Sequence, residues 1–379
     1  MELLIFAIPF IVAVVLLTLF RKQTTWWEYA ALIVPSIAIS LLLELCCKAY
    51  NAADTEYLGS YITKVRHEDP WNEYVHRTCT RTVGSGKHRH TVTYDCSYVR
   101  SHPDRWTYYT NTGDIEYITH AEFDKLRRQF GTEMQFVDMH RRYHTLDGDA
   151  QDYHFDGDWT KARTLSESHH YQNKVQASRS IFKFENISNS RADSLSLFHY
   201  PDIIDDDQTP FLGYTPDSQT EKRFRWINAR YGKQYQFRIY LLFYRNKNVN
   251  IVEHQRSYWQ GVNKNEMAVC IGIDDSDHVQ WCECLSWSDT PRLESKTRQF
   301  FLESDSLRLM DYANHLVKWV PHDWHRKSFK DFDYLTIELS DTQYWLIIIL
   351  TLIYNVGMSV WVVRNEYAPS PDLSPHRSH

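Results

Sequence analysis

The sequence predicts a membrane protein, with three transmembrane helices and a large α+β or α/β soluble domain built on a mixed sheet. Three observations carry that prediction. Residues 3–20 contain no ionisable side chain, residues 26–47 have Glu28 and Glu44 as their only charges, and residues 344–363 are again uncharged. An α-helix rises about 1.5 Å per residue, so about 20 apolar residues cross a hydrocarbon core about 30 Å thick. All three runs reach that length. The polar remainder, residues 51–341, then hangs on one side of the membrane.

The first run is not patterned as a cleaved signal peptide. Glu2 precedes it, and Arg21 and Lys22 follow it, the reverse of a basic region ahead of an apolar one. The second run starts at the interfacial pair Trp26 and Trp27 and ends near Cys46 and Cys47, which are either acylation sites or thiols packed at a helix end. Glu44 lies close enough to that end to snorkel, and Glu28, beside the tryptophan pair, is expected in solvent. The third run is belted by Tyr344 and Trp345 at its start and by Trp361, Arg364 and Tyr367 at its end. Its Asn355, Gly357 and Ser359 are expected to pack against the other helices. Arg21, Lys22 and Arg364 favour a cytoplasmic hairpin and tail, although Lys48, Arg66, Arg326, Lys327 and Lys330 flank the domain side. The large domain is thus expected outside the cytoplasmic (inner) membrane, with the C-terminus inside. Residues 365–379 read as a disordered tail.

The domain divides into a strand-rich part, 51–178, and an α/β part, 179–341. The net charge is −6, so no basic surplus points to nucleic acid. With 25 Tyr and 13 Trp against 12 Gly, the composition is that of a folded, sheet-containing domain. Cys79 and Cys96 flank a turn at Gly84-Ser85-Gly86-Lys87. Folded as a hairpin, Cys79 faces Cys96, Arg81 faces Tyr94, and Val83 faces Val92, which predicts a disulfide between Cys79 and Cys96. Unlinked thiols and a zinc site are the other readings, and the absence of a Cys-x-x-Cys knuckle counts against zinc. A helix should follow Thr119, with Glu122 as its capping partner, Phe123, Leu126 and Phe130 on one face, and Gly131 as its stop. Segments 106–110 and 169–180 read as strands.

In the second part, Ser218 and Glu221 form a capping pair for a helix with Phe224, Ile227 and Tyr231 inward and Gly232 as its stop. A strand over 235–244, a short helix within 248–261 and a strand over 267–273 should follow. That connection is long enough for a crossover helix, so the two strands should be parallel neighbours with a right-handed crossover. The turn 274–277 permits only a hairpin, so 278–286 should return antiparallel with Cys270 opposite Cys282. Helices starting at Thr290-Pro291 and at Asp305, the latter ending at Pro321, should cover the sheet.

Residues 237–287 resemble the TPM domain family. The matching features are the buried strand at 239–244, a helix closing on Trp259-Gln260-Gly261, the apolar strand 267–273, an acidic turn and a return strand. The resemblance implies a membrane-tethered extracytoplasmic α/β domain. Family members carry glycines after the return strand, where this chain has Ser286, Trp287 and Ser288.

The densest polar cluster spans 140–158. Its His144, Asp147, Asp149, Asp156 and Asp158 are the candidate ligands for a divalent metal ion. Its two Asp-Gly-Asp triplets also suit hairpin turns, which need no metal. Asp274, Asp275 and Asp277, and the run Asp205 to Asp207, read as plain turn and loop. No nucleophile elbow, Walker loop, dinucleotide fingerprint or His-Glu-x-x-His helix occurs. The leading reading is therefore a membrane-anchored extracytoplasmic interaction or scaffold protein. Its partners would be the bilayer and a protein at the membrane, with no nucleic acid. The alternatives are a metal-dependent hydrolase using the 140–158 cluster, and a virus- or phage-encoded envelope protein acting at the host surface.

Overall fold

A computed structural model describes residues 2–20, 26–131, 133–139, 149–178, 184–203, 208–304 and 306–364. It divides into two compact units. One is Met1–Asp54 with His170–Lys183 and Ser328–His379; the other is Thr55–His169 with Phe184–Lys327.

The first unit is helical. Helices α1 (Glu2–Phe20) and α2 (Trp26–Ala52) open the chain, and the last helix, α10 (Asp341–Arg364), packs on both. By length and composition α2 and α10 can each cross a bilayer, and the apolar stretch Ile5–Leu16 within α1 is shorter. The bundle interior is polar in its middle. Asn355 Nδ2 donates to Ser36 Oγ at 2.7 Å, and the Ser40 and Thr351 hydroxyls meet at 3.0 Å. Many leucine, isoleucine and valine side chains of the same helices point outward, while Ile5, Leu16, Leu32, Ile347 and Val362 are buried. Gly357 faces open space instead of packing, and Glu28, expected in solvent, is 8 % exposed. Glu44 is paired with Lys48 one turn on, at 2.5 Å. At one end of the bundle the Asn51 and Gln343 amides exchange hydrogen bonds of 2.8 and 2.7 Å.

Among the described residues the second unit holds two larger sheets and two two-stranded ribbons. The first is built on the long strand β1 (Ala53–Glu68). Three short segments, β2 (Trp71–Val75), β3 (Thr78–Val83) and β4 (His90–Asp95), leave that sheet, and β5 (Tyr98–His102) returns to β6 (Arg105–Thr110). Strand β7 (Ile115–Tyr117), helix α3 (His120–Phe130), β8 (Met134–Val137), β9 (Ala150–His154) and β10 (Thr164–Gln172) complete it. The strand order is β7-β6-β1-β9-β8, with β10 also paired to β1. Thr119 caps α3 by accepting from the Glu122 amide at 3.3 Å, and Gly131 ends it at a positive φ of 111°. Phe123, Leu126 and Phe130 pack on Ile62, Val65 and Tyr153 of the sheet. The strand expected over 169–180 ends at Gln172, where the short helix α4 (Lys174–Ala177) takes over.

Helix α5 (Asn189–Leu195) leads to the second sheet, β11 (Phe211–Leu212), β12 (Arg238–Arg245), β13 (Glu266–Ile273) and β14 (Val279–Ser286), hydrogen-bonded in that order. Strands β11, β12 and β13 are parallel, and β14 is antiparallel to β13. The parallel pair and its hairpin follow from connection length, as expected; β11 is too short to show any pattern of its own. Helices α6 (Ser218–Tyr235), α8 (Pro291–Leu302) and α9 (Leu309–Asp323) cover one face, with Phe224, Phe301 and Leu316 in the core. Helices α5 and α7 (Ile251–Tyr258) cover the other. Because α6 and α7 lie on opposite faces while the strands advance in one direction, the two crossovers have opposite hands, and one departs from the right-handed rule.

Several local expectations need correction. The cap of α6 is Asp217, which accepts from the Gln219 and Thr220 amides, so Ser218 is the first helical residue. Gly232 does not stop α6. It lies against β1, where a Cβ would come within 2.1 Å of the Gly59 carbonyl oxygen, so the pair of glycines lets helix and strand touch backbone to backbone. Asp305 lies outside the described residues; α9 begins at Leu309 and runs past Pro321 to Asp323. Cys270 faces Glu283, not Cys282. The turn takes one residue more than the four assigned to it, with Asp277 at φ 62° and a register shift at Gly272/Ile273. A slip of one residue exchanges faces. Cys270 therefore packs with α5 and α7, Cys282 and Cys284 pack on the other face, and all three thiols are free.

Candidate functional site

Between Glu68 and Arg105 the β1–β6 pair continues as a β-arm. Its proximal ribbon pairs β2 with β5, from Trp71↔His102 to Val75↔Tyr98. The Trp71 ring stacks on His102 at 4.0 Å, and Glu73 is hydrogen-bonded to His102 Nε2 at 2.9 Å. Its distal ribbon pairs β3 with β4 around a 3₁₀ turn at Gly86–His88. Gly84 (φ 99°) and Gly86 (φ 61°) close that turn in six residues, two fewer than the expected pairing allowed. The register therefore shifts by two. Cys79 faces Tyr94, Arg81 faces Val92, and Val83 faces His90. An even shift keeps each side chain on its expected face. Cys79 and Cys96 consequently sit on a diagonal instead of directly opposed. They still stand at disulfide distance, with Cα atoms 5.8 Å apart, beside the Cys96 amide that donates to the Arg77 carbonyl at 2.9 Å.

The distal ribbon has no core. Both faces of β3 and β4 are exposed, with only Cys79 and Val92 half-buried. A two-stranded hairpin alone is marginally stable in water. Here the cross-strand sulfurs, the Thr80–Thr93 and Thr82–Thr91 pairs, and Arg81 over the Tyr94 ring at 5.6 Å hold it. Residues 76–100 carry five Arg or Lys against the single acid Asp95. The Ser97 hydroxyl and amide both donate to Asp95, which lowers its pKa and keeps it ionised. Val83, Tyr94, Tyr98 and Val99 are exposed among these cations. Exposed tyrosine beside arginine is the composition of a contact surface.

Of the five metal candidates, Asp149, Asp156 and Asp158 lie among the described residues, and each has a local partner. His144 and Asp147 lie outside the described residues, as do Asp205 to Asp207 and the 365–379 tail. Asp149 accepts from the Met139 amide at 3.1 Å. Asp156 holds Lys161 at 2.7 Å, and that hydrogen bond is the main cause of its lowered pKa. Asp158 caps the 3₁₀ turn at Trp159–Lys161 through Thr160, which lowers its pKa in turn. The second Asp-Gly-Asp triplet is thus a turn, with Gly157 at φ 88°. Asp274, Asp275 and Asp277 are likewise engaged by turn amides, by Asn246 and by Arg245. Among the described residues, His67, Asp69 and Asp104 do converge, with His67 Nε2 3.1 Å from Asp104. Strand pairing at the base of the arm brings them together, and no local spacing in the sequence announces them.

Two enclosed polar sites are ties. Glu56 is fully buried and meets Arg326 at 2.8 and 2.9 Å, His169 at 2.8 Å and Lys264 at 3.7 Å. Glu266, also fully buried, accepts from the Tyr200 hydroxyl and, at 2.9 Å, from the Asn263 amide. Burial pushes the Cys270 thiol well up, and the Cys282 hydrogen bond together with burial does the same for Cys284, so both stay protonated and inert as nucleophiles.

Compared with protein-family models, curated proteins and solved structures, the chain matches none.

Proposed function

We propose that the chain is a membrane-anchored, extracytoplasmic interaction protein that reaches an acidic protein partner with the arm between Glu68 and Arg105. The single observation that carries this reading is the distal ribbon. It has two solvent faces, a cross-strand cysteine pair in place of a core, and basic and tyrosine side chains along its length. An element that adds no core to the fold but is covalently stapled is suited to contact. The cysteine pair supports a place outside the cytoplasm, where disulfides persist. The outward apolar side chains of the bundle, with Ser36, Ser40, Thr351 and Asn355 enclosed between its helices, support three spans in the bilayer, with Arg21, Lys22 and the C-terminus on the cytoplasmic side. The strand order of 237–287 supports the TPM-like reading of that segment.

Two measurements test the proposal. A protease added to intact cells should cut the arm while a C-terminal label stays protected; the reverse pattern refutes the orientation. A photo-crosslinker at Lys87 should trap a protein in native membranes. Arg81→Glu with Arg89→Glu should abolish the crosslink while Cys79 and Cys96 remain linked. An unchanged crosslink in that variant refutes the role of the arm.

A further inference from the structure

We propose that the hollow between α3, the 3₁₀ turn at Trp159–Lys161 and α6 binds a phosphate-class anion, the phosphoryl end of a phosphomonoester. This site is separate from the arm and does not depend on it. The hollow has a volume of about 220 Å³ and is lined by Lys125 of α3, Arg163 just before β10, and Lys222 and Arg225 of α6, with Glu122 as the one carboxylate among its described lining residues. Lys125 and Lys222 form no ion pair among the described residues. Arg225 donates one Nη2 bond to Glu221 at 2.7 Å, but its Nε is enclosed and has no acceptor. Behind the hollow, the Arg223 guanidinium lies 4.9 Å from the centre of the Trp159 ring.

Cations brought together on one hollow repel one another. That cost is relieved by one anion with several acceptor oxygens. A phosphoryl group fits this best, because it takes a guanidinium N–H and two ammonium groups at once. Size limits the choice. The hollow is smaller than the roughly 300–1,000 Å³ of a pocket for a drug-sized ligand. It has room for a phosphoryl group. A second hollow of about 490 Å³ shares Glu122 and Arg163 with the first and is lined further by Asp114, Glu116, Tyr108 and Tyr117. Carboxylates and phenols accept from hydroxyl and amino groups. The second hollow therefore suits the remainder of a phosphorylated molecule that carries such donors.

Such a phosphomonoester is either soluble or a lipid headgroup, and the test separates the two. The full chain in phosphatidylcholine nanodiscs is titrated calorimetrically with inorganic phosphate, then again in nanodiscs that also contain phosphatidic acid. Phosphate should bind with millimolar affinity or better, and at least tenfold more weakly on raising salt from 50 to 500 mM. Lys125→Glu with Lys222→Glu, both at exposed positions, should abolish binding without moving the melting midpoint. Arg225→Gln should weaken it at least tenfold. Equal binding in both nanodiscs identifies a soluble ligand; loss only where phosphatidic acid is present identifies the lipid. Failure of the native chain to bind phosphate in either nanodisc overturns the proposal. So does undiminished binding by the folded charge-reversed variant.

Discussion

In the helical bundle Ser36, Ser40, Thr351 and Asn355 are fully enclosed, while Leu19, Leu42, Leu45 and Ile353 are more than half exposed. In the β11–β14 sheet the arrangement is reversed: Ile239, Leu241, Val269 and Ile271 are fully enclosed. The bundle also encloses Ile5, Leu32 and Ile347, so the contrast lies in its enclosed hydroxyl and amide groups and its outward leucines. In water, burial of apolar surface drives packing, and enclosed hydroxyls add little. In hydrocarbon, leucine gains nothing by leaving lipid, and small polar contacts between helices become the specific ones. The difference teaches that exposure of a leucine is uninformative until its solvent is named.

The largest expected effect sharpens that contrast with a truncation to alanine in each of the two regions. Phe301→Ala, in the core between α8 and the sheet, should cost about 3–5 kcal/mol. Leu42→Ala, on the outer face of α2, should cost less than about 0.5 kcal/mol, as surface substitutions do. Denaturant unfolding in detergent, followed by tryptophan fluorescence, reads both. A cost at Leu42 comparable to that at Phe301 would show that the outer face of the bundle is covered by protein.

A charge tests the same face from the other side. Ile353 lies near the middle of α10 and is exposed. Ile353→Lys should cost about 2.5–3.5 kcal/mol of membrane insertion, against within about 0.5 kcal/mol at an ordinary aqueous surface. The fraction of chain recovered in carbonate-washed membranes measures it. Unchanged recovery would break the comparison.

Particular residues show what the sequence makes legible. The apolar runs, the Thr119 cap and the parallel pair β12–β13 are local or length-determined, and each is readable from spacing alone. Registers are not. Whether six or eight residues close the turn after Val83 depends on positive φ at Gly84 and Gly86, and whether Cys270 meets Cys282 depends on one residue at Asp277. Gly232 reads as a helix stop because its partner, Gly59, is remote in sequence. The same distance hides the phosphate hollow, whose cations come from three separate elements, and the His67, Asp69 and Asp104 group. Periodicity reports the face a residue shows. It does not report what another part of the chain brings to that face.

Asn355 gives a smaller effect within the bundle. Asn355→Leu removes the bond to Ser36 and should cost about 0.6 kcal/mol, with about 1.7 kcal/mol as the upper end seen for such interhelical bonds. Ser36→Ala should cost the same, and the double variant no more than either alone. Additive losses in that double-mutant cycle would mean that the two side chains act separately.

The smallest effects appear as slopes of stability with pH, and two buried carboxylates should give opposite ones. Burial is the strongest influence on Glu266 and raises its pKa above the ordinary 4.5, although Tyr200 and Asn263 hydrogen-bond to it and oppose the shift. As pH rises past 4.5 the unfolded chain ionises first, so Glu266 lowers stability until the pH passes its folded-state value. Burial also pushes Asp152 up, but hydrogen bonds from Arg66 at 2.6 and 2.9 Å and from Lys64 at 2.8 Å outweigh it, and its pKa falls below the ordinary 3.8. The stability it contributes is complete above 3.8 and is lost as pH falls through the folded-state value. Glu266→Gln keeps an acceptor for Tyr200, so it should flatten the decline above pH 4.5 and leave the acid limb alone. Asp152→Asn should flatten the acid limb and lower stability at neutral pH, where it strands Arg66 and Lys64. Unfolding midpoints from pH 3 to 8 measure both slopes. A native-like alkaline slope in Glu266→Gln would mean that this carboxyl is ionised in the folded chain at the same pH as in the unfolded one, with Arg238, its neighbour across β12 and β13, offsetting the burial.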